Sequence, residues 1–436
     1  MSAQRVEPSG LGPAVDELVV AHGTPTYVYQ LAEVRRAMAR LRGVLPEGVR
    51  IYYSVKANPH PLLIAEAVRA GARVEVSSTG ELAAAGAAGV PAADCLYTGP
   101  GKTSAELAHA VRTGVPLFSV ESRDDRDRLA EVAEAAGTVE AAESRIEYLV
   151  RLNVAGSRSA SGLRMTGAPS QFGVDLTGLD RAPELFEAGK SAEPVGFHLF
   201  SATNIVDGDA LARELANNVA AAALVARRFG FTPRVLDIGG GFGAPYMVPG
   251  EPIDYAGLRE ALAAELDREF PGWRAGEPVI AVETGRYLMA AAGTLLTTVL
   301  DVKTSGPDTY VVCDAGVNAL GGMYGIGRLV APKAQPSGHA SAAADPVRLV
   351  GPLCTPLDVL NREARLEQPR IGQVLAIPNV GAYGLTASLV GFLGRQLPAE
   401  LVLDGDQVVD ARRLELTARP LPLPLPRPLT GGGSDG

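Results

Sequence analysis

IYYSVKANPHPLLIAEAVRAGARVEV, residues 51–76, contains the unit from which most of this chain is built. A short β-branched and aromatic run (51–55) leads through a turn into an amphipathic, Ala- and Leu-bearing stretch, and then into a second apolar run (73–76). A strand joined to the next strand through a helix is the parallel βα unit, because parallel neighbours need a crossover of about that length. The pattern recurs downstream, with candidate strands CLYT (95–98), PLFSV (116–120), IEYLVRL (146–152), VGFHL (195–199), RVLDI (234–238) and VIAV (279–282). Helix-like segments such as RDRLAEVAEAA and ALARELANNVAAAALVARRF separate most of them. Eight such strands are the number that closes a TIM barrel; a doubly wound open sheet is the rival arrangement.

Past residue 292 the rhythm changes. TLLTTVLDV, TYVVCDAG, PVRLVGPL, GQVLAIP and ELVLDGDQVV are strand-like and separated by Gly/Pro turns with little helix between them. The chain is 436 residues long, beyond the size at which one core keeps growing, so two domains are predicted. These are a barrel over 30–290 and a mainly β domain made from 1–29 and 291–418. Residues 333–346 (KAQPSGHASAAADP) read as an exposed loop, and the Pro- then Gly-rich 419–436 as a disordered tail.

A net charge of −9 argues against nucleic acid or an anionic membrane as the main partner. No 18-residue apolar run is present to span a bilayer, and the N-terminus lacks the layout of a signal peptide. Three scattered cysteines, Cys95, Cys313 and Cys354, cannot frame a disulfide scaffold, so a reducing cytoplasm is expected. The five histidines show no HxH or HxxxH spacing, and no metal site is expected.

Barrel chemistry collects at the C-terminal ends of the strands, and the unusual residues of this chain fall there. Lys56 follows the first strand, Ser201-Ala202-Thr203-Asn204 the sixth, Gly239-Gly240-Gly241-Phe242-Gly243 the seventh, and Glu283-Thr284-Gly285-Arg286 the eighth. A lysine emerging from a buried strand can have its pKa lowered and bond an aldehyde, whereas an isolated strand-end lysine more often snorkels to solvent. Glycines let backbone N–H groups approach an anion, and barrels often hold phosphate after strands seven and eight; a tight turn is the plainer reading of the same glycines. Arg286 and Thr203 could add side-chain donors. A carboxylate such as Glu283 could keep a pyridine nitrogen protonated, or simply pair with Arg286.

Together these segments resemble a known family, the fold-type III pyridoxal-phosphate decarboxylases that act on diaminopimelate, ornithine and arginine. The resemblance runs from HGTPTYVY (22–29) to LPAELVL (397–403) through YYSVKANP, VEVSSTGEL, TGPGKT, QFGVD, GFHLFSATN, LDIGGGFG, VETGRYL, CDAGVNAL, GPLCTPLD and GAYGLTASLVGFLGR. It implies pyridoxal 5′-phosphate as cofactor and Lys56 as the lysine that bonds its aldehyde. It implies that Gly240, Gly241, Thr203, Arg286 and Tyr383 hold the phosphate and that Glu283 faces the pyridine nitrogen. Cys354 would reach the active site of a second subunit in a head-to-tail homodimer and protonate the substrate Cα. Asp314, Asp358 and His198 would lie toward the substrate.

Two departures bear on substrate. Family members that act on basic substrates carry Glu or Asp directly after the cysteine, where it meets the distal ammonium; here Thr355 and then Pro356 stand in that place. A hydroxyl cannot offset a desolvated ammonium, so lysine-, ornithine- and diaminopimelate-like substrates are disfavoured. In GFHLFSATN, Phe200 takes the place of the histidine that stacks on the cofactor ring. Both features are more similar to the branch found in biosynthetic clusters, which includes the glutamyl-carrier-protein decarboxylase of butirosin assembly. The implied activity is α-decarboxylation of an amino acid, or of a carrier-tethered aminoacyl group, without a distal ammonium. The alternatives are a diaminopimelate or basic amino-acid decarboxylase, an amino-acid racemase, which would place a tyrosine where GPLC stands, and a non-catalytic cofactor-binding homologue. The loop 156–171 is expected to shape the substrate pocket.

Overall fold

The computed structural model describes residues 14–137, 145–154, 163–164, 170–321, 332–338, 341 and 343–421. Eight parallel strands close into a barrel: Arg50–Ser54, Arg73–Val76, Cys95–Tyr97, Leu117–Val120, Ile146–Asn153, Ala192–Leu199, Val235–Asp237 and Val279–Thr284. Closure is complete, since the eighth strand pairs with the first (Val282 with Ile51, Glu283 with Tyr52) and the fourth with the fifth. The open-sheet alternative is thereby excluded. Tyr52, Leu96, Leu117, Leu149, Val195 and Ala281 fill the barrel as a packed cluster of their own, while the outward residues join the main core under the helices. Each of the leucines and Val195 contributes roughly 1.5–3 kcal/mol by leaving water.

Capping sets where the surrounding helices begin. Ser78, Ser122 and Asp207 each accept a backbone N–H at a helix start, and Thr103 with Glu106 forms a full capping box for Ser104–Thr113. Gly114 and Gly230 end their helices in the left-handed conformation.

The second domain is one sheet, ordered Val359–Arg365, Pro346–Val350, Asp308–Cys313, Gly293–Ser305, Thr26–Gln30, Ala399–Asp404 and Gln407–Arg413, with Val374–Ile377 paired to Gly293–Ser305. Thr26–Gln30, from the N-terminal part of the chain, lies in its middle, antiparallel to Gly293–Ser305 and parallel to Ala399–Asp404. The strand Val359–Arg365 escaped the sequence reading because it is an edge strand whose Arg362, Glu363 and Arg365 face solvent, which hides the apolar alternation. The expectation of an exposed loop over 333–346 holds at 333, 343, 345 and 346, which are exposed, and is corrected for 334–337. Ala334 is buried and donates its N–H to Leu360 O (2.9 Å), and Ser337, also buried, bridges to Ala376. Small residues here pack against the sheet, which a composition reading cannot distinguish from a loop. Most of the loop 156–171, and residues 422–436 of the tail, lie outside the described residues.

Candidate active site

Lys56 sits in a single 3₁₀ turn, Val55–Ala57, at the C-terminal end of the first barrel strand. Strand register places Glu75 beside Ser54, so that both Glu75 oxygens lie 3.2 Å from Lys56 Nζ. Glu75 is buried, and it also accepts from Thr98 Oγ1 and from Ser77 Oγ (3.1 Å). Burial alone would raise its pKa, but the Lys56 charge and the Thr98 and Ser54 hydroxyls outweigh burial and hold it down at about 2. For Lys56, burial pulls down and the charges of Glu75 and Glu283 push up, with a net rise above the ordinary lysine value. The expected lowering is therefore corrected: without cofactor the lysine is stored as an ammonium paired to Glu75. Sequence reasoning assigned no role to Glu75, although a carboxylate inside a four-residue buried strand was an available signal.

The Phe200 ring centroid lies 5.7 Å from Lys56 Nζ, which places an aromatic face beside the lysine. Below them, His198, Asp237 and Glu283 converge from three adjacent strands, with Asp237 the register partner of both His198 and Ala281. Glu283 Oε1 is 3.2 Å from His198 Nε2, and His198 Nδ1 is 2.7 Å from Ser119 Oγ. Burial, then the nearby Glu283 charge, pushes the Asp237 carboxyl up to about 7. The placement of His198 toward the substrate is also corrected: it is only 1% exposed, enclosed between Ser119 and Glu283.

The glycine run after strand seven is required by close backbone approach. A Cβ on Gly240 would lie 1.8 Å from Glu283 O and one on Gly239 2.1 Å from Leu199 O, while Gly239 and Gly241 hold φ of +73° and +103°. Ile205 N–H donates to Gly241 O (2.8 Å), so the segment bearing Thr203 is drawn against this run. The Arg286 guanidinium lies 4.7 Å from the Tyr383 ring and 5.3 Å from the Tyr246 ring, with its buried Nε making no hydrogen bond. Tyr383 has φ of +54°, a costly conformation for a side-chain-bearing residue. It is held there by its N–H to Ala57 O (2.8 Å) and by Tyr246 Oη to its carbonyl (2.6 Å). The second domain thus locks directly onto the lysine turn.

Cys354 and Thr355 lie in the turn between Pro346–Val350 and Val359–Arg365, with Cys354 exposed. Asp358, expected toward the substrate, is buried; its oxygens accept from Val317 N and Leu353 N, both at 2.7 Å. A Cβ on Gly316 or Gly351 would come within 2.6 Å of this carboxylate, so glycine is needed on both sides. Asp314 is likewise engaged within its own domain, accepting from Thr24 Oγ1 (2.5 Å), Thr297 Oγ1 (2.6 Å) and Thr298 N (3.0 Å). Both acids act as staples within the sheet domain, and the substrate role expected for them is corrected. Asp358→Ala orphans two buried N–H groups and is expected to cost about 2–4 kcal/mol, read as a lowered thermal midpoint. An unchanged midpoint would remove the staple reading.

A lysine, a buried carboxylate with an unbonded oxygen, a glycine cradle too tight for any Cβ and a half-sheathed arginine fit pyridoxal phosphate. The fold and the site together define a barrel built for that cofactor. Residues 31–290 match the family model "Pyridoxal-dependent decarboxylase, pyridoxal binding domain", and the chain belongs to this family as a pyridoxal-phosphate-dependent carboxy-lyase. Among its relatives, the L-glutamyl-[BtrI acyl-carrier protein] decarboxylase of Niallia circulans is 29% identical, over 87% of this chain and 88% of that protein. The diaminopimelate decarboxylase of Aquifex aeolicus is 30% identical over 93% and 92%. The Helicobacter pylori diaminopimelate decarboxylase structure complexed with L-lysine shares the fold, with a TM-score of 0.74 at 23% identity, covering 91% of this chain and 95% of that one. Among the described residues, no helix is long and apolar enough to cross a membrane.

Proposed function

We propose that this enzyme removes the α-carboxylate of an amino acid, or of an aminoacyl group on a carrier protein, whose distal end bears no ammonium, in a specialised biosynthetic pathway of the cytoplasm. The observation that carries this reading is the 351–358 turn. Its one acid, Asp358, directs its carboxylate at backbone N–H groups, and the residue after Cys354 is a threonine. The turn therefore offers no free charge to a substrate ammonium, and burying an unpaired ammonium costs several kcal/mol. The relative from Niallia circulans, named for a glutamyl group on a carrier protein, supports the same substrate class.

In this reading residues 30–290 hold the cofactor, and 1–29 with 291–418 form the β domain. Lys56 bonds the cofactor aldehyde, Glu283 faces the ring nitrogen, and Gly240, Gly241, Thr203, Arg286 and Tyr383 hold the phosphate. When bound, the cofactor ring takes up the electrons that departing CO₂ leaves on Cα. Phe200 supplies a flat apolar face that keeps water and stray protons from the ring, and the Lys56 amine would take back the cofactor aldehyde as the product amine is released. Cys354 gives the proton to Cα from a second copy of the chain. Exposed Leu357, Phe392 and Leu393, with Arg395 bonded to Pro352 O (2.9 Å), support a partner surface around its turn.

The test is CO₂ release from free amino acids and from carrier-bound aminoacyl thioesters. Release confined to substrates without a distal ammonium is expected; turnover of diaminopimelate or ornithine at comparable kcat/KM would overturn the substrate reading. Thr355→Glu should raise kcat/KM for a diamino acid at least about tenfold, the equivalent of 1.4 kcal/mol of restored pairing.

A further inference from the structure

Beneath Lys56 and Phe200, three ionisable groups occupy a space where water has no access. The side chains of His198 and Glu283 are 2% exposed and Asp237 is 0% exposed, and their ligand-type atoms all lie within 4.8 Å of one another. Each has an atom left over. His198 Nε2, Glu283 Oε1 and Asp237 Oδ2 make no aligned hydrogen bond, although His198 Nε2 and Glu283 Oε1 are 3.2 Å apart. The other ring nitrogen of His198 and the other oxygen of Asp237 are fixed, His198 Nδ1 at Ser119 Oγ and Asp237 Oδ1 on Gly239 N–H (2.9 Å). Two carboxylates so close and so dry cannot both keep a full charge without a proton or cation between them. Lys56 and Glu75 are the next charges outward, and they largely satisfy each other.

We propose that Asp237, His198 and Glu283 share one proton and act as a single monoanion beneath the cofactor ring, which makes His198 and Asp237 positioning residues for the carboxylate that faces the pyridine nitrogen. One proton over two carboxylates and a neutral imidazole leaves a net charge of −1, whichever group holds it. That charge matches a single protonated pyridine nitrogen. Ser119, by fixing Nδ1, turns the other imidazole nitrogen toward Glu283 and so orients the shared proton. The upward push on Asp237, to about 7, agrees with its being a holder of that proton. The inference rests on the placement of Glu283 proposed above.

The experiment follows the absorption band of the bound cofactor against pH in the holoenzyme. In His198→Gln one holder of the proton is gone, the cluster becomes doubly negative at lower pH, and the ring proton is held more tightly. The midpoint should rise by about one unit, with a tenfold change in the underlying equilibrium. Asp237→Asn, an uncharged mimic of the protonated acid, should leave the midpoint in place. An unmoved midpoint in His198→Gln would reduce His198 to packing, and a fall of about one unit in Asp237→Asn would mean that Asp237 carries its own charge; either outcome overturns the shared proton. Ser119→Ala, which frees Nδ1 without emptying the site, serves if His198→Gln does not fold, and should move the midpoint in the same direction. Glu283→Gln separates the two readings. If it alone lowers the midpoint the carboxylate placement stands without the cluster, and if it changes nothing the placement itself fails.

Discussion

Lys56→Ala is expected to abolish CO₂ release, by at least about a thousandfold, and to cost stability as well. The first effect follows from losing the amine proposed above to bond the cofactor aldehyde. The second follows from Glu75, which is 1% exposed and would keep its charge with no cation beside it. Breaking a fully buried pair costs roughly 3–5 kcal/mol, but the Lys56 side chain is 40% exposed and solvent screens part of the attraction, so about 1–3 kcal/mol is expected. The pH dependence identifies the cause. Because Glu75 is held down at about 2, the stability it contributes is present above the ordinary carboxylate value and lost as pH falls through about 2. The variant lacks that contribution, so its deficit should be largest near neutrality and close as pH drops from about 4.5 toward 2. Thermal unfolding of the cofactor-free proteins across that range measures it. Equal midpoints near pH 7 would mean that the pair contributes nothing to the fold.

Mixing two inactive variants should restore activity. Cys354→Ala removes the proposed proton donor and Lys56→Ala the proposed cofactor lysine, and each alone is expected to be nearly silent. If the 351–358 turn of one copy completes the site of the other, random reassociation yields half mixed dimers, each with one intact site, and about a quarter of the original activity returns. Sedimentation of the mixture gives the dimer fraction independently. A dimer that recovers nothing would place Cys354 outside the partner's chemistry. A monomer with full wild-type activity would remove the shared site altogether.

The barrel was legible because each of its strands is a short apolar run buried on both faces and flanked by helix, a pattern that local sequence carries in full. The placement of Lys56, Glu283 and the glycine run was legible for a related reason, since the strand order of a barrel puts each of these segments at the same end. What escaped were features that depend on register. Glu75 reaches Lys56 only because Ser54 pairs with it, and His198 meets Glu283 only because Asp237 aligns between their strands. Asp358 and Asp314 misled for a complementary reason. A carboxylate beside a reactive segment looks the same in sequence whether it faces a substrate or ties neighbouring segments of its own domain together, and here both are ties.

The position of Thr26–Gln30 in the middle of the second sheet has a consequence for how the protein is made. Tyr29 Oη meets Glu400 across 371 positions of chain, and the strand's two neighbours come from residues 293–305 and 399–404. On the ribosome the barrel can assemble as soon as its last strand emerges, while this early strand still has an open edge on each side. At the usual 5–20 residues per second it waits roughly 20–70 s for its parallel neighbour. Over the last roughly 6–23 s of that wait, while residues 285–399 are made, a nascent chain carries a finished barrel beside a strand that can pair with 293–305 on one edge and has its other edge open, a surface that chaperones and neighbouring nascent chains compete for. Truncations upstream of residue 399 should therefore accumulate as aggregates even though their barrels are complete.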